Sequence, residues 1–383
     1  MIRVVHSIPI WLPQTQTWLY GQVKHLPESI QSHIVCDRVE NLDQFHLPNI
    51  HCLLDESTWR YYWEKGTRKL RLRRHLPFLV EHAARCQAQV LHSHFGNIGW
   101  LNLSVAKRAR VKHVVTFYGL DLSYLPRQDP RWHHRYAALF SQVDRILCEG
   151  PFMARSIVNL GCPAYKIRVH HLGINTDEIA WIPRKWNPLE PLRVLIAATF
   201  REKKGIPLAL EALGRLQHEV PLAITIIGDA GNNARDQAEK QQILQIIERH
   251  NLLPKLRMLG YQPHSVLFEE AYQHHVFLSP SITSSDGDTE GGAPVTIIEM
   301  AATGMPVVST VHCDIPEVID HRRTGLLAKE RDIDGLVVQL KWLLDHPDQW
   351  QAMTAAARHH VDVEFNARVQ GARLATIYQG MVA

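Results

Sequence analysis

The sequence predicts an α/β protein with two doubly wound domains, and three observations lead to this prediction. The chain has 383 residues, enough for two or three domains of ordinary size. It is 45% hydrophobic and 21% charged, a globular composition that excludes collagen-like, low-complexity and fully disordered chains. Short β-branched runs alternate with helix-length segments, a pattern typical of parallel sheets covered by helices on both faces.

The predicted strands fall into two series along the chain. The first series comprises residues 2–6, 33–36, 90–92, 113–117, 145–148 and 167–171. The second series comprises residues 192–197, 222–227, 256–259, 276–278, 306–309 and 325–328. Helices are predicted between strands of the second series, at residues 206–219, 236–250, 265–273 and 295–303.

The two series are joined by a proline-rich segment. Residues 181–191 read WIPRKWNPLEP, and we interpret them as an interdomain linker. The domain boundary is therefore predicted between residues 184 and 185, with an N-terminal domain over 1–184 and a C-terminal domain over 185–365. Two such domains side by side form a cleft at the carboxyl ends of their strands, where open α/β sheets bind ligands.

Net charge and cysteine content narrow the class of protein. The net charge of +4 is a mild basic excess, too small for a dedicated nucleic-acid-binding protein. The six cysteines form no CxxC pair, which argues against a zinc ribbon or a disulfide scaffold and fits a reducing compartment. Neither a signal peptide nor an apolar segment of 18 residues is evident, so we expect a cytoplasmic protein without a transmembrane helix.

A glycine-rich segment after the predicted strand at 276–278 carries the strongest chemical signal. Its end is a predicted helix start made of small residues and a proline: Gly291, Gly292, Ala293, Pro294 and Val295. The free N–H groups at such a start suit a diphosphate or sugar oxygens. Glu290 lies in the loop and Glu299 lies further along the helix, so both carboxylates can face one ligand.

This segment resembles the donor-site signature of glycosyltransferase family 4, whose members are retaining enzymes with the GT-B fold. Segments along nearly the whole chain are similar to other motifs of that family, at residues 92–96, 116–121, 200–205, 226–229, 259–261, 315–317 and 324–327. The resemblance is strongest to transferases of the exopolysaccharide and colanic-acid type. It implies two Rossmann-like domains that face an interdomain cleft, with the C-terminal helix at 366–383 packing back on the first domain.

The resemblance also implies a reaction and the residues that carry it. A sugar moves with retention from a nucleotide diphosphate sugar, expected to be UDP-linked, to a glycan or lipid-linked acceptor, without a metal or other cofactor. Glu299 binds the ribose hydroxyls, Glu290 contacts the donor sugar, and Gly228 lines the donor site. Arg201 and Lys204 neutralise the diphosphate, whose negative charge grows as the glycosidic bond breaks.

On the side of the acceptor, the resemblance implies a second group of residues. His94 supplies an imidazole near the reacting centre. Residues for the acceptor or the phosphates are Thr15, Thr17, Tyr118 and Asp121. Tyr118 stands where the family has a histidine, and eight residues separate Glu290 from Glu299 where the family has seven. Two alternatives therefore stay open: a non-catalytic partner protein with the GT-B fold, and a nucleotide-sugar epimerase of the same fold.

Two further segments each allow two interpretations. Asp286 and Asp288 spell Asp-x-Asp, which is either a solvated turn or a site for a divalent metal. Residues 59–74 hold seven basic residues, one acid and four aromatic rings. They form either a basic helix that packs its rings on the domain or a peripheral contact with an anionic membrane at its inner face. Nucleic acid is not expected as a partner.

Overall fold

The computed structural model describes residues 1–13, 16–70, 72–73 and 76–383, and these residues form two compact units. Unit 1 comprises Met1–Asn175 and Phe365–Ala383, and unit 2 comprises Thr176–Glu364. Each unit is an α/β domain with a parallel sheet, and the predicted fold class is confirmed.

The strands of both units lie close to the runs of apolar residues in the sequence. Those of unit 1 are β1 (Ile2–Ser7), β2 (Ile10–Trp11), β3 (Ile30–Cys36), β4 (Arg38–Val39), β5 (Ile50–Cys52), β6 (Val90–His94), β7 (Lys112–Thr116), β8 (Arg145–Cys148) and β9 (Ile167–Val169). Those of unit 2 are β10 (Leu192–Ala197), β11 (Leu222–Ile227), β12 (Leu256–Met258), β13 (Val276–Ser279), β14 (Val307–Thr310) and β15 (Leu326–Ala328).

Helices follow most of these strands. They are α1 (Thr17–Lys24), α2 (Leu53–Glu56), α3 (Thr58–Lys69), α4 (Pro77–Arg85), α5 (Gly96–Ala109), α6 (Leu120–Gln128), α7 (Arg131–Gln142) and α8 (Pro151–Asn159). The remainder are α9 (Ile206–Leu216), α10 (Ala234–Arg249), α11 (His264–Gln273), α12 (Val295–Ala302), α13 (Ile315–Val318), α14 (Ile333–Asp345), α15 (Trp350–Glu364) and α16 (Ala367–Val382).

Both main sheets are parallel, and each reverses its strand order once. The seven strands of unit 1 are ordered β5-β3-β1-β6-β7-β8-β9, and the six of unit 2 are ordered β12-β11-β10-β13-β14-β15. Strands β2 and β4 pair separately. The order reverses between β1 and β6 and between β10 and β13. Open α/β sheets bind ligands beyond the carboxyl ends of the strands at such a reversal, so the loops after these four strands are the places to search.

The C-terminal helix α16 belongs to the core of unit 1. Its Leu374 and Tyr378 are buried together with Val4 of β1 and Val90 of β6. The side chain of Asn366 caps the helix by accepting hydrogen bonds from two backbone N–H groups of its first turn. The last residues of the chain therefore complete a core that begins with its first strand.

The division between the units falls between residues 175 and 176, which differs from the predicted boundary between 184 and 185. The intervening segment is bonded to unit 2. The backbone N–H of Ile182 donates to the carbonyl of Thr303 at 2.9 Å. The buried guanidinium of Arg184 donates to the carbonyls of Ala271 and His274 at 2.8 and 3.0 Å. The proline-rich stretch that suggested a linker lies after the division, within unit 2.

None of the described helices combines the length and the apolar character needed to cross a membrane.

Candidate active site

The loops after β10 and β13 lie against each other in unit 2. Gly205 ends a short 3-10 turn, Glu202–Lys204, and its φ of 63° is in the left-handed region. A Cβ atom on Gly205 would lie 2.0 Å from the carbonyl oxygen of Pro280, just after β13. This close approach requires glycine and brings the lysines before Gly205 to the segment that carries Glu290.

Glu290 is the most tightly held of the predicted site residues. Its carboxylate accepts hydrogen bonds from Lys204 Nζ and Ser281 Oγ, both at 2.8 Å, and its side chain is only 5% exposed. Burial raises the pKa of this carboxyl, but the charges of Lys204 and Lys203 outweigh burial and lower the pKa to about 2. Glu290 is therefore an ionised hydrogen-bond acceptor at neutral pH.

The neighbouring aspartates also form ion pairs. Asp288 is buried, and its carboxylate oxygens lie 3.2 and 3.3 Å from Lys203 Nζ. Asp286 lies 2.6 Å from Arg235 Nη1 and accepts a hydrogen bond from the backbone N–H of Asp288. Each carboxylate is held by a cation of the protein, and the buried Asp288 is not the solvated turn residue that the sequence suggested.

Glu299 lies on α12 and pairs with a histidine that the sequence did not indicate. The carboxylate is almost fully buried, and its Oε1 atom is 2.8 Å from Nε2 of His264 at the start of α11. The hydrogen bond that His264 donates to the Glu299 carboxylate raises the pKa of His264, so the imidazole is protonated at a higher pH than usual. The pair presents a carboxylate and an imidazole together, the groups suited to bind a diol.

The small residues predicted to line the donor site lie after a strand or before a helix. Gly228 follows β11 with a φ of 125°, and a Cβ atom there would lie 1.9 Å from the carbonyl oxygen of Ala198. Gly291 also has a left-handed φ, of 79°. Gly292, Ala293 and Pro294 lead into α12, which begins at Val295. The helix start is therefore where the sequence placed it, to within one residue.

Arg201 lies apart from the pair formed by Lys204 and Glu290. Its guanidinium is 3.8 Å from Asp236 at the start of α10, and its side chain is 44% exposed. The two cations predicted to act together thus differ in environment: Lys204 is held by a buried carboxylate, and Arg201 is a loosely paired surface side chain.

The buried His312 and the half-buried Glu330 support the backbone of Glu290. Nε2 of His312 accepts a hydrogen bond from the Glu290 N–H at 3.2 Å, and Nδ1 of His312 lies 2.7 Å from Glu330 Oε1. Glu330 also accepts from the backbone N–H of Thr283 at 2.8 Å. Sequence reasoning did not assign these residues to the site. One signal in the sequence could have indicated His312. It lies shortly after a predicted strand, at the carboxyl edge of the sheet, where ligands bind.

In unit 1, the predicted imidazole and phenol form one hydrogen-bonded group at the carboxyl ends of β6 and β7. Nδ1 of His94 lies 2.6 Å from the hydroxyl of Tyr118, and its Nε2 lies 3.1 Å from Nδ1 of His6. Burial and the nearby His6 lower the pKa of His94 well below its usual value, so the imidazole is neutral. His94 is fully buried, and Tyr118 is the partner with exposed surface.

The side chain of Asp121 bonds to the backbone of two segments beside this group. Its carboxylate accepts hydrogen bonds from the backbone N–H groups of Gly96 at 2.6 Å and Tyr118 at 3.0 Å, and it is fully buried. Burial raises the pKa of Asp121 to about 6, against the opposing effect of these hydrogen bonds. The contacts assign it a positioning role for Tyr118. Thr15 lies outside the described residues, and of Thr17 only the backbone is described, as the first residue of α1.

Comparison with known proteins identifies the family of this chain. Residues 15–178 match the family model described as Glycosyltransferase Family 4, and residues 179–360 match the model described as Glycosyl transferases group 1. The amylovoran biosynthesis glycosyltransferase AmsK of Erwinia amylovora is 33% identical over 303 residues, which cover 76% of this chain and 70% of AmsK. This chain belongs to the family 4 glycosyltransferases.

Two other proteins extend the comparison. WcaL of Escherichia coli, a glycosyltransferase named for colanic acid biosynthesis, is 31% identical over 77% of this chain and 71% of its own length. The crystal structure of Anabaena HepE with UDP superposes with a TM-score of 0.78 over 99% of this chain and 100% of HepE, at 13% identity, and HepE was also solved with UDP-glucose. This chain is therefore a GT-B glycosyltransferase of the exopolysaccharide-biosynthesis type.

Proposed function

We propose that this glycosyltransferase moves a sugar from a UDP-sugar to a glycan or lipid-linked acceptor, with retention of the anomeric configuration and without a metal ion. The observation that carries the proposal is the grouping of Lys204, Glu290 and Glu299 at the strand-order reversal of unit 2. Parallel α/β sheets bind ligands at this place, and these three side chains match the parts of a nucleotide sugar.

The carboxylate of Glu299 is the acceptor for the ribose hydroxyls in this proposal. A vicinal diol carries two O–H donors, and a buried carboxylate with an imidazole beside it offers strong acceptors and one donor. Lys204 faces the diphosphate and stabilises the charge that develops on it as the glycosidic bond breaks. Glu290, ionised beside Lys204, accepts hydrogen bonds from the hydroxyls of the transferred sugar.

The proposed retention uses no protein nucleophile. Glu290 is held by Lys204, Lys203 and Ser281, so its lone pairs are engaged and it is a weak nucleophile. The acceptor hydroxyl then attacks from the face that the diphosphate leaves, and a phosphate oxygen takes its proton. The new glycosidic bond forms as the bond to the diphosphate breaks, and the configuration at the anomeric carbon is kept.

Metal independence and the choice of UDP have separate support. Asp286 and Asp288, the residues of the Asp-x-Asp sequence, already pair with Arg235 and Lys203. A divalent cation would have to break both ion pairs, and the lysine at the diphosphate supplies the charge that a metal would otherwise bring. The binding of UDP and UDP-glucose by HepE supports a uridine nucleotide as the donor.

The acceptor is assigned to unit 1. Tyr118 has exposed surface, and its hydroxyl is bonded to the neutral imidazole of His94. Trp18 and Phe95 pack on the ring of Tyr118 with centroid distances of 4.2 and 4.9 Å. A tyrosine among aromatic rings suits the apolar face and the hydroxyls of a sugar ring.

A lipid-linked acceptor is favoured by the surface of α3. Trp59 and Tyr62 are 75% and 67% exposed, and Leu70 just beyond the helix is 72% exposed. The helix also carries basic residues, with Arg68 and Lys69 in its last turn. Arg71 and Arg74 of the predicted segment lie outside the described residues. Exposed aromatic rings beside cations suit an anionic membrane surface, so we assign α3 to peripheral membrane contact.

The donor site is tested by thermal unfolding of the whole chain with UDP, GDP, ADP and CMP, each with and without Mg²⁺. We expect UDP alone to raise Tm, by an amount independent of Mg²⁺, and Glu299→Gln to abolish the rise. Glu269→Gln, on an exposed residue of the neighbouring helix α11, is the matched control and should keep it. A rise that requires Mg²⁺ would overturn metal independence, and no rise with any nucleotide would favour the non-catalytic alternative.

Reaction and membrane contact need their own measurements. Hydrolysis of UDP-sugars without acceptor, followed by NMR of the released sugar, should show the α-anomer first from an α-linked donor. Interconversion of the UDP-sugar without cleavage would instead identify an epimerase.

Membrane contact is tested by co-sedimentation with vesicles that contain phosphatidylglycerol. The protein should sediment with the vesicles, and the double variant Trp59→Ala with Tyr62→Ala should stay in the supernatant. Equal binding to neutral phosphatidylcholine vesicles would contradict the charge argument.

A further inference from the structure

A second group of polar side chains lies in unit 1, at the edge of its sheet and outside the proposed reaction. It joins three elements: His51 lies on the edge strand β5, Glu56 ends α2, and His82 lies on α4. One ligand atom from each of these residues lies within 4.8 Å of the other two. His33, on the neighbouring strand β3, pairs with His51 from the other side.

The spacing of these atoms is that of metal ligands. Two nitrogen or oxygen ligands, each about 2.0–2.1 Å from a tetrahedral Zn²⁺, lie about 3.3–3.4 Å apart. Nε2 of His82 is 3.1 Å from Oε1 of Glu56, and a ligand atom of His51 lies within 4.8 Å of both. Two of the three ligand atoms are therefore already as close as bound ligands would be.

A buried nitrogen in this group lacks a hydrogen-bond partner. Among the described residues, Nε2 of His82 is buried and makes no hydrogen bond, although the Glu56 carboxylate lies 3.1 Å away as an ion-pair contact. An unpaired buried polar atom is costly, and native structures rarely leave one without a reason. This nitrogen beside a carboxylate points to a ligand that both groups bind.

The cations around the group are held by other residues. Two cations lie nearby. Arg85 is exposed and pairs with Glu81, and Arg3 donates to the carbonyl of Gln87. Both leave the ring nitrogens of the group unblocked.

A comparison with the other histidine cluster of unit 1 shows why this one is singled out. His6, His92 and His94 are also close enough to hold a metal. However, both nitrogens of His92 are already bonded, to the hydroxyls of Tyr378 and Thr116 at 2.7 and 2.6 Å. The three rings are fully buried, so a metal would have to break an existing network without a path from solvent.

We propose that His51, His82 and Glu56 form a binding site for a borderline divalent transition metal such as Zn²⁺, with the His33 imidazole orienting His51. Two imidazoles and one carboxylate are a ligand set typical of Zn²⁺, and a water molecule completes the tetrahedron. Because Glu56 is partly exposed, the ion can enter from solvent. The bound ion cross-links α2 and α4 to the edge strand β5, and the site is independent of the proposed sugar transfer.

The test uses the full chain, stripped with a chelator and dialysed. Titration with Zn²⁺, read by calorimetry and by metal analysis after desalting, should give one ion per chain. Co²⁺ should give the visible absorption bands of a four-coordinate site. Glu56→Gln and His51→Gln should each weaken Zn²⁺ binding at least tenfold. Asp55→Asn, which changes the exposed carboxylate next to Glu56 on α2, should stay within twofold of the wild type.

Two outcomes would overturn the proposal. One is a chain that binds no stoichiometric Zn²⁺ at micromolar concentrations. The other is binding that survives both Glu56→Gln and His51→Gln but is lost in His6→Gln, which would place the ion in the other cluster. Glu56 is partly exposed and ends a short helix, so its variant should fold normally, and circular dichroism of each variant checks this.

Discussion

Replacing Lys204 by methionine is the most direct test of how the donor site is built. The change removes the cation 2.8 Å from Glu290 and keeps most of the length of the side chain. Both partners are largely buried, with exposed side-chain fractions of 20% and 5%. The variant therefore leaves a buried carboxylate with Lys203 and Ser281 as its remaining support.

The size of the effect follows from the pKa of Glu290. The pKa falls from 4.5 to about 2 on folding, and at about 1.4 kcal/mol per unit this contributes about 3 kcal/mol to stability at pH 7. Removing one partner of a buried ion pair costs about 3–5 kcal/mol in general, and the support left by Lys203 places this variant at the lower end. We expect Lys204→Met to lower the free energy of unfolding by about 3 kcal/mol at pH 7.

The sign of the pH dependence provides the control. A carboxyl with a depressed folded pKa stabilises the protein above the unfolded pKa, and this contribution is lost as the pH falls towards the folded pKa of about 2. Only about 2 kcal/mol of it remains at pH 3.5, so the difference between variant and wild type should narrow there.

Urea unfolding followed by circular dichroism, at pH 7 and pH 3.5, measures both values. The double variant Lys204→Met with Glu290→Gln should recover part of the loss, because the unpaired charge is gone. Lys341→Met, at an exposed ion pair, should leave stability unchanged within error. A Lys204→Met variant as stable as the wild type, or equally destabilised at both pH values, would refute the electrostatic reasoning.

Three further changes follow from the same contacts. Arg201→Gln should weaken UDP binding about tenfold in calorimetry. It should leave Tm unchanged, because the ion pair of Arg201 with Asp236 is long and exposed. A fall in Tm would contradict this reasoning. Gly228→Ala should destabilise the chain by more than about 3 kcal/mol, since its Cβ would clash with a carbonyl oxygen at a left-handed φ, whereas Gly66→Ala, in open space, should not. Because the pKa of Asp121 is raised to about 6, its own contribution to stability should fall as the pH rises from 4 to 6. Buried histidines such as His94 act in the opposite sense, so urea unfolding of Asp121→Asn is compared with the wild type at each pH, and the difference should shift in favour of the variant as the pH rises.

The sequence predicts every strand of the two main sheets except the edge strand β5. The predicted strands at 145–148, 192–197 and 222–227 coincide with β8, β10 and β11, because these runs are mostly apolar and largely buried. The edge strand β5 is missed. It has three residues, and its central His51 breaks the apolar pattern. Edge strands are paired on one side, so their sequences carry a weaker signal.

The candidate site is predictable in part for a similar reason. Local sequence places Glu290 and Glu299 around a helix start, because glycines and a proline mark that start. The pairing of Glu290 with Lys204 spans 86 residues, and it exists only because β10 and β13 are neighbours in the sheet. The same holds for His264 beside Glu299 and for His312 beneath Glu290. Strand order, which no local pattern encodes, decides these contacts.

In the proposed reaction, the lysines Lys203 and Lys204 and the exposed Arg201 have different tasks. Lys203 and Lys204 are each matched by a carboxylate, Asp288 and Glu290, so the buried part of the site is nearly neutral before a nucleotide binds. A diphosphate adds at least two negative charges that this part cannot balance alone. The N–H groups at the start of α12 supply part of the compensation. In the proposed reaction, Arg201 supplies the remainder, because its loose pair with Asp236 lets it turn to the ligand at little cost.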